Sequence, residues 1–254
     1  VVVQVAVSGV NYLDVYQRTG SSPLMPPFGA GVEGVGAVAA VGDGVSSLSV
    51  GQRVGWMSGG QGSFADFVAV AADKAVPVPD GVDDTMAVAA LMQGITAQYL
   101  ATDTFPVKSG DLVLVHACAG GVGQLLSQIA KRAGATVLGT VSTPDKADIA
   151  RSVGVDHVLS YETFAAESRE VTGGAGVSAV FDGVGAATFD GSLAAVRPRG
   201  MVVVFGAVSG AVPPVDLMRL AAAGSVFLTR PTVVHYTTTA EELRGRAADV
   251  FDRI

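Results

Sequence analysis

The residues whose types and spacing best suit chemistry lie in one run, Leu112-Val113-Leu114-Val115-His116-Ala117-Cys118-Ala119-Gly120-Gly121-Val122-Gly123. Aligned on G-x-G-x-x-G, Cys118 takes the first glycine place, Gly120 the second and Gly123 the third. The turn follows an apolar strand and opens a helix, the context in which such a turn binds a dinucleotide. Ala119, Gly120, Gly121 and Val122 would then bring backbone N–H groups to a pyrophosphate. Gly123 would let the helix pack close to the sheet, and the helix N-terminus adds positive potential. Cys118 costs the turn some freedom but is small enough to be accommodated. The competing reading is a glycine-rich turn that binds nothing.

A second set of residues bears on which dinucleotide. A site for an unphosphorylated ribose has Asp or Glu about 20 residues on, at the end of the second strand. Here that strand ends Gly139-Thr140-Val141-Ser142-Thr143, with no carboxylate. Ser142 and Lys146 could instead hold a 2′-phosphate, a hydroxyl and a cation replacing a repelling charge. Taken alone, Lys146 is a solvated helix residue with Asp145 beside it. The set favours NADPH over NADH.

Metal chemistry finds little support. One Cys in 254 residues can neither close an internal disulfide nor build a Cys-rich zinc site. His116, His157 and His235 are scattered without ligand spacing. His116, at a strand end, reads as a satisfied core or rim histidine, and no metal is expected.

The elements that must position these groups fall into two textures. Up to about Val78, short β-rich runs at Gly34 to Val41, Arg53 to Met57, Phe64 to Val70 and Lys74 to Val78 alternate with turns, a spacing that suggests a small barrel or sandwich. Asp83 or Asp84 could cap a helix running to Tyr99. Beyond it, strands alternate with helices. Leu112 to His116 is a strand. Val122, Leu125, Leu126, Ile129, Ala130 and Ala133 form one buried helix face, which Gly134 ends. Thr136 to Val141 is the next strand, and Thr143-Pro144 caps the next helix. Val155 to Leu159, Ala179 to Phe181 and Met201 to Phe205 supply three more strands. The alternation implies a parallel sheet covered on both faces.

Composition sets the outer bounds. At 49% hydrophobic and 15% charged, the chain has material for a sizeable core and is not disordered. A net charge of −7 argues against a nucleic-acid or anionic-membrane surface as partner. The longest apolar runs, such as Val1 to Val7, fall well short of the roughly 18 residues of a membrane span. No secretion signal is recognisable, so a soluble, cytoplasmic, reduced protein is expected. The chain opens inside an apolar run and closes on a helical pattern without a stop signal, and so reads as a fragment of a longer frame.

The run Gly9-Val10-Asn11-Tyr12-Leu13-Asp14-Val15-Tyr16-Gln17-Arg18-Thr19-Gly20, together with Val115 to Gly123 and Leu228-Thr229-Arg230-Pro231, resembles the zeta-crystallin-like quinone oxidoreductases of the medium-chain dehydrogenase/reductase superfamily. The resemblance extends over essentially the whole chain. It implies an α/β protein with a GroES-like β-rich catalytic domain over 1–92 and a Rossmann doubly wound parallel-sheet domain over 93–231. Residues 232–254 would begin a return to the catalytic domain, and a strand would precede Val1. It implies NADPH as hydride donor, with Asn11 and Tyr16 lining the acceptor pocket. It sets Thr96 at the nicotinamide end, Tyr161 near the adenosine phosphate, and Phe205, Gly206, Pro231 and Thr232 at the cofactor mouth. A homodimer through the sheet edge near Ser225 to Leu228 is expected by the same analogy.

The zinc alcohol dehydrogenases of that superfamily need Cys where this chain has Asn11 and His where it has Val32, so no tetrahedral site can form there. Without a Lewis acid, acceptors that stabilise their own developing charge are favoured, namely quinones and other conjugated carbonyls. Reduction of an enone or enal double bond is an alternative, as is NADPH binding without turnover. Ala207, Gln93 and the Ser21-Ser22 stretch depart from the family pattern around the acceptor. Cys118, at a helix N-terminus, reads either as a small residue filling the place usually held by Ala, the favoured reading, or as a low-pKa thiol that NADPH would shield from alkylation.

Overall fold

The computed structural model describes residues 1–253. Its first compact unit comprises Val1–Ile95 and the segment from Tyr236 on; its second is Thr96–His235.

In the first unit, β1 (Val2–Gly9), β2 (Glu33–Ala40), β3 (Arg53–Trp56), β4 (Phe67–Ala69) and β5 (Val76–Pro77) form one antiparallel sheet in the order β4-β1-β2-β3-β5. The spacing that suggested a barrel or sandwich belongs to this single sheet. Val3, Val38, Val54, Trp56 and Val68 make its core. Two strands are shorter than their apolar runs. Gly62, Ser63 and Phe64 give their N–H groups to the Ala30–Gly31 loop, so pairing starts only at Phe67. A 3-10 turn over Ala72–Lys74 takes up the start of the last run, and β5 is a two-residue edge strand, where Pro77 is tolerated. Helix α1 (Tyr12–Thr19) follows β1, starts at Asn11 and stops at Gly20, whose φ of 80° is left-handed.

Helix α2 (Asp84–Tyr99) begins where the Asp83 carboxylate accepts from the Met86 N–H at 2.8 Å. It continues as a π-turn over Leu100–Thr104.

The second unit alternates regularly. Its elements are β6 (Leu112–Val115), α3 (Gly121–Arg132), β7 (Thr136–Val141), α4 (Pro144–Ser152), β8 (His157–Ser160), α5 (Phe164–Val171), β9 (Val177–Asp182), α6 (Phe189–Ala195), β10 (Val196–Val204), α7 (Leu217–Ala222) and β11 (Phe227–Thr229). All six strands are parallel, in the order β11-β10-β9-β6-β7-β8. Val113, Leu114, Val115, Val137, Leu138, Val180 and Phe181 are fully buried, as strands covered on both faces must be. Thr143 caps α4 ahead of Pro144. The chain then re-enters the first unit as α8 (Ala240–Phe251).

Candidate functional site

Strand order reverses between β6 and β9, and ligands of open α/β sheets bind at such a reversal, beyond the carboxyl ends of the strands. The candidate cofactor residues of this unit follow those ends. Ala119 to Gly123 come after β6, Ser142 and Lys146 after β7, Tyr161 after β8, Phe205 and Gly206 after β10, and Pro231 and Thr232 after β11. Thr96 belongs to none of them; it is half-buried on α2.

The turn after β6 is built for close approach. A Cβ on Gly123 would lie 2.4 Å from the Ala117 carbonyl oxygen and 2.7 Å from Cys118 Cα, so only glycine lets α3 sit against the strand end. The left-handed residue is Ala117, with φ of 51°, and not Cys118 at the motif's first place. Ala117 is held there by its own N–H, which donates to the Tyr161 hydroxyl at 3.0 Å and to Thr140 Oγ1 at 3.3 Å. At the end of β7, Lys146 Nζ donates to Ser142 Oγ at 3.1 Å, both residues being exposed. These two candidates stand together, with no carboxylate on the strand end. A turn that requires glycine at Gly123, a twelve-residue helix opening at it and an exposed hydroxyl–ammonium pair fit a dinucleotide carrying a 2′-phosphate.

Beneath the turn lies a buried polar network that the sequence did not disclose. Asp182, fully buried at the end of β9, accepts from the N–H groups of Val184 and Gly185, each at 2.9 Å, and from the hydroxyls of Thr188 and Ser192. Ser192 Oγ lies 3.0 Å from His116 Nε2, and Thr140 Oγ1 lies 2.9 Å from His116 Nδ1. With the Ser192 proton on Asp182, the pattern assigns a neutral imidazole protonated on Nε2. Burial pulls this imidazole down to about 4, against the opposing field of Asp182. His116 is thus a satisfied core histidine. The chain Asp182–Ser192–His116–Thr140 ends on the Ala117 N–H and so braces the turn from below. The main chain of Asp182 also accepts from Phe205 N at 2.8 Å, which ties the β10 end to β9. The only sequence signal for this network was a polar residue at each of several apolar strand ends.

Cys118 takes the inert of its two readings. Its side chain is fully buried and lies under the turn, with Sγ 3.5 Å from the Thr140 carbonyl oxygen and 2.4 Å from where a Cβ on Gly139 would stand. Burial pushes the thiol up to about 11. The electropositive helix end does not activate a thiol that faces away from it into the sheet.

The first unit holds a separate cluster. Asn11, the N-cap of α1, and Tyr16, one turn further on, are both half-buried; the Tyr16 ring lies 5.9 Å from that of Tyr12. Asp14 Oδ2 accepts from the Asn11 backbone N–H at 2.7 Å, while Asp14 Oδ1 is buried with no hydrogen-bond partner. Sequence reasoning missed Glu33, which is fully buried at the start of β2. Its Oε2 accepts from Asn11 Nδ2 at 2.8 Å and its Oε1 from the Met92 N–H at 2.7 Å. Burial pushes its carboxyl up to about 7 and the Asp14 charge adds to that, while the Asn11 and Met92 donors pull the other way. The available signal was a lone carboxylate inside the apolar, glycine-rich run Val32-Glu33-Gly34-Val35-Gly36.

Val32 is buried beside Glu33, and among the described residues no three His, Cys, Asp or Glu side chains are grouped to hold a metal ion. No helix among them is long and apolar enough to cross a membrane.

Comparison with known proteins adds to this picture. Residues 1–80 match the family described as the alcohol dehydrogenase GroES-like domain, and residues 121–252 match the family described as zinc-binding dehydrogenase. A quinone oxidoreductase of Pseudomonas aeruginosa is 41% identical over 249 residues, covering 97% of this chain and 77% of that one. A 2-haloacrylate reductase of a Burkholderia species is 42% identical over 255 residues, with the same shares covered. Among solved structures, the Escherichia coli quinone oxidoreductase complexed with NADPH superposes with a TM-score of 0.97 at 37% identity, over 100% of this chain and 78% of that one.

Proposed function

This chain belongs to the quinone oxidoreductase family of the medium-chain dehydrogenase/reductase superfamily, and we propose that it is an NADPH-dependent reductase that passes hydride to quinones without zinc. The observation that carries this reading is the likeness, along the entire chain, to a quinone oxidoreductase solved with NADPH. NADPH, when bound, supplies the hydride to the quinone, which takes up a proton as well and leaves as hydroquinone. The chain's own part is binding and orientation. Ala119 to Gly123 offer backbone donors to the pyrophosphate, Ser142 and Lys146 hold the 2′-phosphate, and Tyr161 borders it. Thr96, Phe205, Gly206, Pro231 and Thr232 surround the nicotinamide half. Asn11 and Tyr16 face the acceptor, where a donated hydrogen bond stabilises charge building on the acceptor oxygen.

The zinc-free part rests on ligand chemistry. Asn11 and Val32 occupy the places where a thiolate and an imidazole would be required, and neither binds zinc. A second reading, reduction of an activated carbon–carbon double bond, is favoured by the 42% identity to a 2-haloacrylate reductase. A homodimer through β11 is supported by its position at the sheet edge and by Phe227, which is 59% exposed there. A reducing, cytoplasmic setting suits a chain whose single Cys is buried and unpaired.

The test follows reduced-nicotinamide absorbance with NADPH or NADH, each against a simple benzoquinone and an aliphatic enone. NADPH-selective turnover of the quinone is expected. Lys146→Ala should raise the KM for NADPH by about tenfold, the worth of one charge-assisted contact, and leave that for NADH unchanged. Faster turnover of the enone would move the assignment to double-bond reduction. Equal use of both cofactors would remove the role given to Ser142 and Lys146.

A further inference from the structure

We propose that Glu33 is a positioning residue that sets which edge of the Asn11 amide faces the electron acceptor. The proposal rests on the reading that Asn11 faces that acceptor, and deepens it. Asn11 is half-buried, with one edge of its amide on a fully buried carboxylate. Glycine on β1 leaves room for that carboxylate where it stands: a Cβ on Gly9 would lie 2.3 Å from Glu33 Oε2, so a larger residue would push the carboxylate aside. Oε1 is fixed by the Met92 main chain, which leaves Oε2 as the oxygen that answers to Asn11.

No cation offsets Glu33 from the elements around it. β1 carries no charged residue, and Glu33 is the only one on β2. The one charged residue of β3, Arg53, is bound to Asp84, the only charged residue of α2. α1 contributes Asp14, whose like charge bears on Glu33, and Arg18 in its exposed last turn.

The two protonation states of such a group make opposite demands. An ionised carboxylate only accepts, so it requires Nδ2 of Asn11 and turns Oδ1 to the other edge. A protonated one donates from Oε2, takes Oδ1 as its partner and turns the NH2 group outward. The exchange is a half-turn about the last side-chain bond of Asn11, and it also turns Oδ1 away from the Asp14 backbone N–H that it caps at the start of α1. With NH2 outward, the amide donates to an acceptor oxygen as negative charge builds on it; with Oδ1 outward, it cannot. The switch falls near neutral pH, where the Glu33 carboxyl titrates at about 7.

The experiment is the pH profile of kcat/KM for benzoquinone at saturating NADPH, in the full chain. The wild type should drop about tenfold through neutral pH, the worth of one hydrogen bond to the reacting oxygen. NADPH affinity, measured alongside, should show no matching step. Glu33→Gln, which donates from Nε2 at every pH, should lack the drop and exceed the wild type above pH 8 by about that factor. Asn11→Ala should lack the drop too, at a level no higher than the wild type's alkaline limb. A step of unchanged size and midpoint in Glu33→Gln overturns the proposal and leaves the role of Asn11 standing. Wild-type kcat/KM in Asn11→Ala at pH 6 overturns the reading beneath it. Should Glu33→Gln not fold, the side-chain amide resonances of Asn11 in the wild type decide the matter. A shift with the midpoint of the kinetic step supports the proposal, and none overturns it.

Discussion

Glu33 in the antiparallel unit and His116 in the parallel unit are both buried to within 1% of complete exclusion, and their surroundings differ in kind. Glu33 has two N–H donors, a like charge nearby and no cation, so ionising it inside the fold is unfavourable. His116 sits in a chain of hydroxyls ending on Asp182, where both ring nitrogens are satisfied in the neutral form. One unit holds a charge problem that pH can switch, and the other holds a polar brace that pH switches only at the acid extreme. A brace suits a turn that must keep Ala117 left-handed at the strand end. A poised carboxylate suits a side chain that must change what it offers to a reacting oxygen.

The largest effect expected is in the brace. Asp182→Ala would strand the Val184 and Gly185 N–H groups and leave the Thr188 and Ser192 hydroxyls only the carbonyl oxygens of Gly185 and Thr188. Orphaning buried groups on this scale costs about 3–5 kcal/mol. Urea unfolding should show that loss, together with weakened NADPH binding as the Ala117 turn slackens. A loss under about 1 kcal/mol would mean that water replaces the carboxylate, and the contrast with Glu33 would collapse.

The next effect separates the two groups by the sign of their pH dependence. The Glu33 carboxyl is raised from 4.5 to about 7, so between those values the folded chain holds a proton that the unfolded chain has lost. Stability therefore falls as pH rises through that window, by about 3 kcal/mol at one pKa unit per 1.36 kcal/mol. The His116 imidazole is lowered from 6.5 to about 4, so there the unfolded chain holds the extra proton and stability falls as pH drops. The two slopes oppose each other in the wild type. Glu33→Gln should be more stable than the wild type at pH 8 and close to it at pH 5. Its melting temperature should rise steadily from pH 4.5 to 6.5, with the His116 slope unopposed. A parallel shift at all pH values would show that Glu33 does not titrate in that range.

How far the sequence anticipated this differs between the units for a physical reason. Parallel strands buried on both faces read as short apolar runs, and Thr136–Val141 is a strand to the residue. Caps are local, and Thr143-Pro144 opens α4 as its chemistry requires. The antiparallel unit is harder to read because the first four residues of β2 are all buried, so alternation does not assign Glu33 to either face. Its partners Asn11 and Met92 lie 22 and 59 residues away, beyond any local pattern. Asp182 was hidden in the same way, its role depending on three donors from the β9–α6 turn and a fourth, Ser192, from α6 itself. The pairing of Ser142 with Lys146 was legible because both lie within one turn of α4's start.

Cys118 carries the smallest expected effect and the most direct check on the reading of the turn. Position in the chain put the thiol at an electropositive helix end, where thiols are activated, whereas its side chain points the other way, against Gly139 and the Thr140 carbonyl oxygen. A group buried in this manner, with its thiol pushed up to about 11, offers no thiolate at pH 8. Iodoacetamide at that pH should leave the mass of the protein and its NADPH turnover unchanged, with or without cofactor present. Labelling that NADPH prevents would require the turn to open in solution far enough to expose Sγ. The brace from Asp182 to Ala117 would then be too weak to hold the strand end, and Asp182→Ala should already label in the cold while the wild type does not.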